Sequence, residues 1–394
     1  MPVELLAPAG SHEALDAAVG EGADAVYLGL KNFNARMRSV NFDYARFEGA
    51  LRSLHRMKRK LYVTVNTVFE QREADRMYQL LKYLAGLGPD GLIVQDFGTA
   101  AMVRKCFPSL KLHASTQMNI ASSRGANALS KAGVSRVVLA RELSLDEIRS
   151  CRDNTNVELE VFVHGALCIS ASGLCLFSSY LGGKSANRGM CTQACRRLYR
   201  CGGGEGYYFS PLDLQLLEKL PDLVSAGVNA LKIEGRMKGA EYVGAVTAAY
   251  RLVLDALAEG AEEEKVRESM RKGLEILKGD FARDKTFFYF DGISPPDSWL
   301  RPERGGGTGV PLGKLVRTEG SGEDKRGLVA AGPLLPAAGD TIRLHRADDT
   351  ERESFRIKFA EDSEEGRWLS VPSVFDAGDS VYLIRAGAKS RRYA

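Results

Sequence analysis

From residue 3 to about residue 260, short apolar or β-branched runs alternate with amphipathic stretches of helical length. Strands are expected at 3–9, 25–30, 60–66, 91–95, 111–120, 136–141, 157–167 and 230–234. Helices are expected at 11–21, 44–57, 73–87, 98–107, 123–132, 144–152, 212–225 and 240–258. The punctuation agrees: Ser11 and Ser144 stand just before acidic first turns, where a hydroxyl caps a helix start. Gly22, Gly88, Gly133 and Gly227 fall just past helix ends, where a left-handed residue is wanted. Eight strand–helix units in about 260 residues fit a closed α/β structure, a TIM-like (β/α)8 barrel, better than an open doubly wound sheet. The expected division is a barrel over 1–260, a helical extension and linker over 261–304, and a small β-barrel domain over 305–394. Within the last part, the turn Ala338-Gly339-Asp340-Thr341-Ile342 of 333–344 returns as Ala377-Gly378-Asp379-Ser380-Val381 in 372–383.

One connection breaks the rhythm. Links in α/β units usually take about two to six residues, yet 168–211, leaving the seventh strand, shows no clear strand and is rich in Gly, Ser and Cys. Cys168, Cys175, Cys191, Cys195 and Cys201 lie in it, whereas Cys106 and Cys151 fall on expected helices and read as packing residues. No apolar run approaches the roughly 18–20 residues that cross a bilayer. The start, Met1-Pro2-Val3-Glu4-Leu5-Leu6, has neither the basic nor the apolar part of a secretory signal, so a cytoplasmic chain with no membrane partner is expected. In a reducing compartment, clustered cysteines point to metal or catalysis rather than disulfides.

Six, fifteen and three residues separate Cys168, Cys175, Cys191 and Cys195. Four thiolates complete a [4Fe–4S] cluster, one per iron. A four-cysteine zinc site is satisfied equally well. Cys201 is close enough in sequence to replace Cys195. Lys184, Arg188, Arg196, Arg197 and Arg200 make the segment basic, able to balance an anionic cluster or to hold an anionic ligand bidentately. The net charge of the chain, +4, neither requires nor forbids nucleic acid.

The run Glu160-Val161-Phe162-Val163-His164-Gly165-Ala166-Leu167-Cys168, continuing to Gly173-Leu174-Cys175-Leu176-Phe177-Ser178, resembles the signature of the peptidase U32 family, the collagenase-like proteins. Asn187-Arg188-Gly189-Met190-Cys191-Thr192-Gln193-Ala194-Cys195-Arg196 is similar to the family's second cysteine block. Leu231-Lys232-Ile233-Glu234-Gly235-Arg236-Met237-Lys238 and Ser115-Thr116-Gln117-Met118-Asn119 resemble two further hallmarks, in the family's order; Phe177 departs from the usual aliphatic residue. Gly309-Val310-Pro311-Leu312-Gly313-Lys314 and the β segment resemble the C-terminal extension of longer members.

The resemblance implies two activities. The family's older name makes its members peptidases. Other members are oxygen-independent hydroxylases of a pyrimidine in tRNA or 23S rRNA, or of the ubiquinone ring. These carry a [4Fe–4S] cluster on four cysteines, and the RNA enzymes depend on prephenate. By motif position the ligands here are Cys168, Cys175, Cys191 and Cys195, with RNA and a small dicarboxylate donor as partners. Gln117, Asn119, Arg141, Glu142, His164, Lys232, Glu234 and Arg236 all fall near the C-terminal ends of expected strands, which meet at one barrel mouth. Arg141, Arg188, Lys232 and Arg236 suit the two carboxylates of such a donor, and Glu234 or His164 the proton transfers.

Peptidase chemistry has less to stand on. No His-Glu-x-x-His or Gly-x-Ser-x-Gly run occurs. His164 and Cys168, four residues apart on a strand, are separated by roughly 13 Å along it. For RNA, the basic run from Arg52 through His55, Arg56, Lys58 and Arg59 to Lys60 offers a second contact, or only a solvated helix end.

Overall fold

The alternation folds into a parallel barrel. In the computed structural model the strands β1 (Glu4–Pro8), β2 (Ala25–Gly29), β3 (Lys60–Val65), β4 (Gly91–Val94), β5 (Leu112–Ala114), β6 (Val134–Val138), β7 (Glu158–Ala166) and β8 (Ala230–Ile233) pair in sequence order. Pairing of β8 with both β7 and β1 closes the ring. The structure describes residues 3–387 apart from 38–39, 279–282, 304–308, 333, 349 and 386. Contacts divide the chain into two units: residues 1–279 with 285–304, and residues 280–284 with 305–394.

The helices follow from caps and apolar faces. Ser144 accepts the Glu147 N–H while Glu147 reaches back to the Ser144 N–H, a reciprocal cap that starts helix Leu145–Asp153. Two segments differ from the sequence reading. Only Leu112–Ala114 of 111–120 pairs as strand, because Ser115 Oγ accepts the Gln117 N–H and turns 116–118 into a short 3-10 helix. The expected helix 212–225 begins as strand Asp213–Gln215 and becomes α-helical only at Leu220–Ser225. Its buried leucines, Leu212, Leu214, Leu216, Leu217 and Leu220, satisfy a period of two before they satisfy one of 3.6. Helix Ala240–Ala258 and the charged helix Glu263–Leu277 follow as expected.

Inside the barrel, Leu6, Ala25, Tyr27, Tyr62 and Ile93 form a separate buried cluster. Toward the N-terminal strand ends lies a layer of charge. There Arg136 meets Glu4, Glu158 and Glu160 at 2.6, 2.8 and 3.3 Å, and Lys232 meets Glu160 at 2.7 Å.

The C-terminal unit is a seven-stranded antiparallel sheet around its own core of Leu315, Ile342, Leu344, Phe375 and Val381. The expected small β-barrel is an open version of one. Its outermost strands, Arg352–Arg356 and Ala360–Ser363, do not pair with each other among the described residues. The repeat is visible in the turns: Asp340 accepts the Ala337 N–H and Asp379 the Asp376 N–H, both at 2.8 Å. Pro333, at the head of the first copy, lies outside the described residues.

Candidate active site at the barrel mouth

The cysteine-rich segment leaves β7 and returns to it. Strand Asp213–Gln215 pairs antiparallel with His164–Ala166, so both ends of the segment are anchored on one strand. Arg196 joins them: its guanidinium donates to the Leu167 carbonyl at 3.0 Å, to Ser210 Oγ at 2.9 Å and to the Pro211 carbonyl. In between, the segment holds a helical turn, Phe177–Gly182, and a hairpin of Tyr199–Cys201 with Gly204–Gly206, neither legible in the sequence.

The segment lies against the mouth at two points where only glycine fits. Gly173, with φ +79°, passes so close to the Gln117 carbonyl that a Cβ would collide with it. Gly189, with φ +78°, does the same against the Asn34 carbonyl. Arg188 fastens the segment to the β3–α loop through Glu73 at 3.0 Å and Glu70 at 3.6 Å.

Cys168 and Cys175 are hydrogen-bonded through their sulfurs. That bond, with Arg141 and Arg36 nearby, pulls the Cys168 thiol down to about 5, while Cys175 is pushed up by the same bond and by burial. Cys191 accepts the Gln193 N–H at 3.4 Å, and its charge is felt by both Cys175 and Arg36. Cys195 sits on the adjoining turn Ala194–Arg196, beside Tyr199. Among the described residues, no three His, Cys, Asp or Glu side chains are grouped as ligands of a single metal ion. The donor set suits an iron–sulfur cluster: thiolates on one segment, a backbone N–H aimed at a sulfur, and guanidinium charge alongside. Cys201 is exposed on the hairpin. Cys151 is buried as expected, whereas Cys106 is exposed rather than packed.

Beside the cysteines, Glu234 binds Arg36 at 3.0 Å and accepts from the Tyr27 hydroxyl at 3.2 Å. Burial opposes its charge, but Arg36, Arg236 and Arg141 together hold the carboxyl below its usual range. Arg236 is buried, with Nη1 on Thr64 Oγ1 at 2.7 Å and Nη2 on Asn34 Oδ1 at 3.3 Å. Desolvation and the neighbouring Arg36 bring it down to about 10. Asn66 links the Ala35 N–H (3.0 Å) to Gln117 Oε1 (2.8 Å). Arg141 donates to the Ala166 carbonyl at 3.1 Å and lies over the Phe162 ring.

Gln117, Arg141, Glu234 and Arg236 therefore meet at the mouth. Glu142 directly follows Arg141, and its Oε2 is enclosed without a hydrogen-bond partner. Asn119, at φ +52°, closes the 3-10 turn through its backbone. Three expected site residues lie elsewhere or are already engaged. Lys232 points inward one layer below the mouth, on Glu160 and over the Tyr27 ring, because its long chain reaches back toward the N-terminal strand ends. Arg188 is held by two glutamates. His164 faces the helical layer: a bulge at Val163 pairs Lys232 with Phe162 but Ile233 with His164, which reverses the alternation. Its ring packs on Tyr242 and Tyr250, and Nδ1 is 3.3 Å from the Tyr250 hydroxyl.

Asn34, Arg36 and Asn66 are mouth residues that the sequence reading did not select. The signal for the first two is the interval from Leu30 to Asp43, too long for an ordinary strand–helix link. The basic run 52–60 lies by the N-terminal end of β3 and is answered by acids: Arg52 by Glu48, His55 by Asp90, Arg59 by Asp24 and Lys60 by Glu4.

A closed (β/α)8 barrel with a five-cysteine segment on its mouth marks a distinct class of protein. Residues 10–297 match Peptidase family U32, and the chain belongs to that family. It is 35% identical over 302 residues to the tRNA hydroxylation protein P1 of Bacillus subtilis, covering 73% of this chain and 71% of that one. It is 40% identical over 266 residues to a 23S rRNA 5-hydroxycytidine synthase of Escherichia coli, covering 65% of this chain but 40% of that protein. It is also 36% identical over 284 residues to a collagenase of Porphyromonas gingivalis, covering 66% and 68%. No helix among the described residues is long and apolar enough to cross a membrane.

Proposed function

We propose that this chain is an RNA-modifying enzyme that hydroxylates a pyrimidine of tRNA or 23S rRNA without molecular oxygen. It uses a [4Fe–4S] cluster on Cys168, Cys175, Cys191 and Cys195, with a prephenate-like dicarboxylate as donor. The observation that carries this is the placing of Cys168 and Cys191 beside a mouth in which one carboxylate, Glu234, faces three guanidiniums. The identity to proteins named for tRNA and rRNA hydroxylation supports RNA as the substrate class. An RNA substrate also places the chain in the cytoplasm. When bound, the cluster supplies one-electron redox chemistry at the mouth.

The chain's own residues do the rest. Arg36 and Arg141 hold the donor's carboxylates, and Arg236, fixed by Thr64 and Asn34, sets the charge behind them. Glu234 stays ionised and orients Arg36 and Tyr27. Glu142 is the carboxyl group available to move a proton. Proteolysis by a Cys168–His164 pair is disfavoured, because the His164 ring is packed into the helical layer.

Mass spectrometry of tRNA and rRNA nucleosides from a deletion strain tests the reaction. Loss of 5-hydroxypyrimidine from one pool is expected. Unchanged levels in both overturn the proposal and leave quinone hydroxylation or proteolysis. Iron and sulfide analysis of protein purified without oxygen, with Cys191→Ala alongside, tests the cluster; zinc without iron overturns it.

A further inference from the structure

Residues 305–394 of the C-terminal unit lie outside the residues matched to the family, and the unit has its own core. Its sheet is charged unevenly. In strands Thr341–His345, Arg352–Arg356 and Ser380–Arg385, Ile342, Leu344, Val381 and Leu383 are buried in the core. The alternate positions face outward, and the register places Arg343 level with Ser354 and Tyr382, Arg356 with Thr341, and Lys314 with Ser380. Among the described side chains those outward positions carry Arg, Lys, Tyr, Thr, Ser and Ile, with His345 buried; the one carboxylate on these strands, Glu353, is exposed but falls on the core-side register opposite Leu344. The other half of the sheet is mixed. There Arg317 meets Glu319 and Glu365, and Arg326 meets Glu361.

The spacing of the cations decides what they can bind. Arg352 and Arg356, both exposed, stand four residues apart on one strand, roughly 13 Å at the strand rise. Arg343 lies on the adjacent strand, midway between them, where its Nε donates to Ser354 Oγ at 2.7 Å. A small anion needs donors that converge on one point, whereas charges set out in a row match successive phosphates of a nucleic-acid strand. Tyr382, beside Arg343, adds a ring on which a base can stack. We propose that this sheet face binds the phosphate backbone of the RNA on which the barrel acts, an inference that rests on the RNA reading of the barrel site.

The test is fluorescence anisotropy of labelled bulk tRNA with the full chain over a salt series. R352Q/R356Q alters two exposed side chains, and R317Q/R326Q is the matched control on the mixed half. The first pair is expected to weaken binding about five- to tenfold and to flatten the salt slope by about 1.5, while the control stays within about twofold of wild type. R343E/R352E/R356E is expected to lose more, provided its melting temperature matches that of wild type.

Equal losses in the two pairs, or none in either, overturn the proposal. So does displacement of tRNA by polyglutamate as effective as by polyuridylate, which would mark a dock for an acidic protein. The two readings fail separately. Hydroxylation that depends on the chain while tRNA binding ignores these arginines removes this face alone. Unchanged nucleosides in the deletion strain, with tRNA binding still lost in R352Q/R356Q, remove the barrel reaction and leave the face as an RNA contact.

Discussion

Two charged clusters belong to the same eight-stranded barrel, one near the N-terminal strand ends and one at the mouth, and they are built on opposite terms. In the inner layer Arg136 is shared by Glu4, Glu158 and Glu160, Lys232 is on Glu160, Lys60 is on Glu4, and the Tyr62 hydroxyl also donates to Glu4. Three carboxylates answer three cations. At the mouth a single carboxylate, Glu234, faces Arg36, Arg141 and Arg236. The titration of the arginines registers the contrast. Burial works against the charge of Arg136, yet Glu160 and Glu4 raise its pKa, whereas Arg236, buried beside another arginine, is lowered to about 10. A balanced layer has nothing left to bind. A cationic excess gives an anion somewhere to go.

The largest effect is expected where balance is broken. Arg136→Met leaves the buried Glu4 and Glu160 without the guanidinium they share, and removing one side of a buried pair costs about 3–5 kcal/mol. Denaturant unfolding should show that loss, and the combination E4Q/R136M, which keeps Glu160 paired with Lys232, should recover much of it. A loss below about 1 kcal/mol would mean that the inner layer is not the closed structural unit the distances suggest. At the mouth the weighting reverses. Arg36→Ala should lower hydroxylation about 100-fold, equivalent to about 2.7 kcal/mol in the barrier, while changing stability by no more than about 1 kcal/mol. Equal stability losses for Arg36→Ala and Arg136→Met would break the distinction.

A smaller effect sharpens the same contrast through pH. Arg136 and Lys60 hold the Glu4 carboxyl below its ordinary value of 4.5, against the opposing effect of burial. The stability this contributes is complete above the unfolded pKa and is lost as pH falls through the folded one. Wild type and Glu4→Gln should therefore differ most near neutrality and converge in acid below about pH 4.5. A difference that stays constant down to pH 3 would show that Glu4 is not held by these cations.

The inner layer and the mouth were unequally legible in the sequence. Strand–helix alternation and helix-end glycines announced the barrel, because burial periodicity and backbone handedness are local properties. The four cysteines and Arg141, Glu234 and Arg236 could be placed near one mouth from strand ends alone. Side-chain direction could not. His164 turns outward because of a bulge that depends on how β7 pairs with β8, a non-local fact. Lys232 lies on β8 and Glu234 just past its end, yet the flexible lysine chain descends to Glu160. Arg36 was missed because its loop reaches Glu234 only when the barrel closes β2 against β1 and β1 against β8.

The smallest expected effect concerns the cysteine that sequence alone could not dismiss. Cys201 is near enough in the chain to stand in for Cys195, but it sits exposed on the hairpin Tyr199–Cys201, which runs beyond the turn that carries Cys195. The two thiols also differ in what holds them. Arg196, next to Cys195, ties the turn to Leu167 and Ser210, whereas Arg200, next to Cys201, meets Glu205 across the hairpin. A ligand needs a fixed backbone, so Cys195→Ser should lower iron content and hydroxylation together, and Cys201→Ser should leave both within about twofold of wild type. The opposite result, iron lost with Cys201→Ser and kept with Cys195→Ser, would move the fourth ligand out onto the hairpin and require the segment to fold back over its own turn.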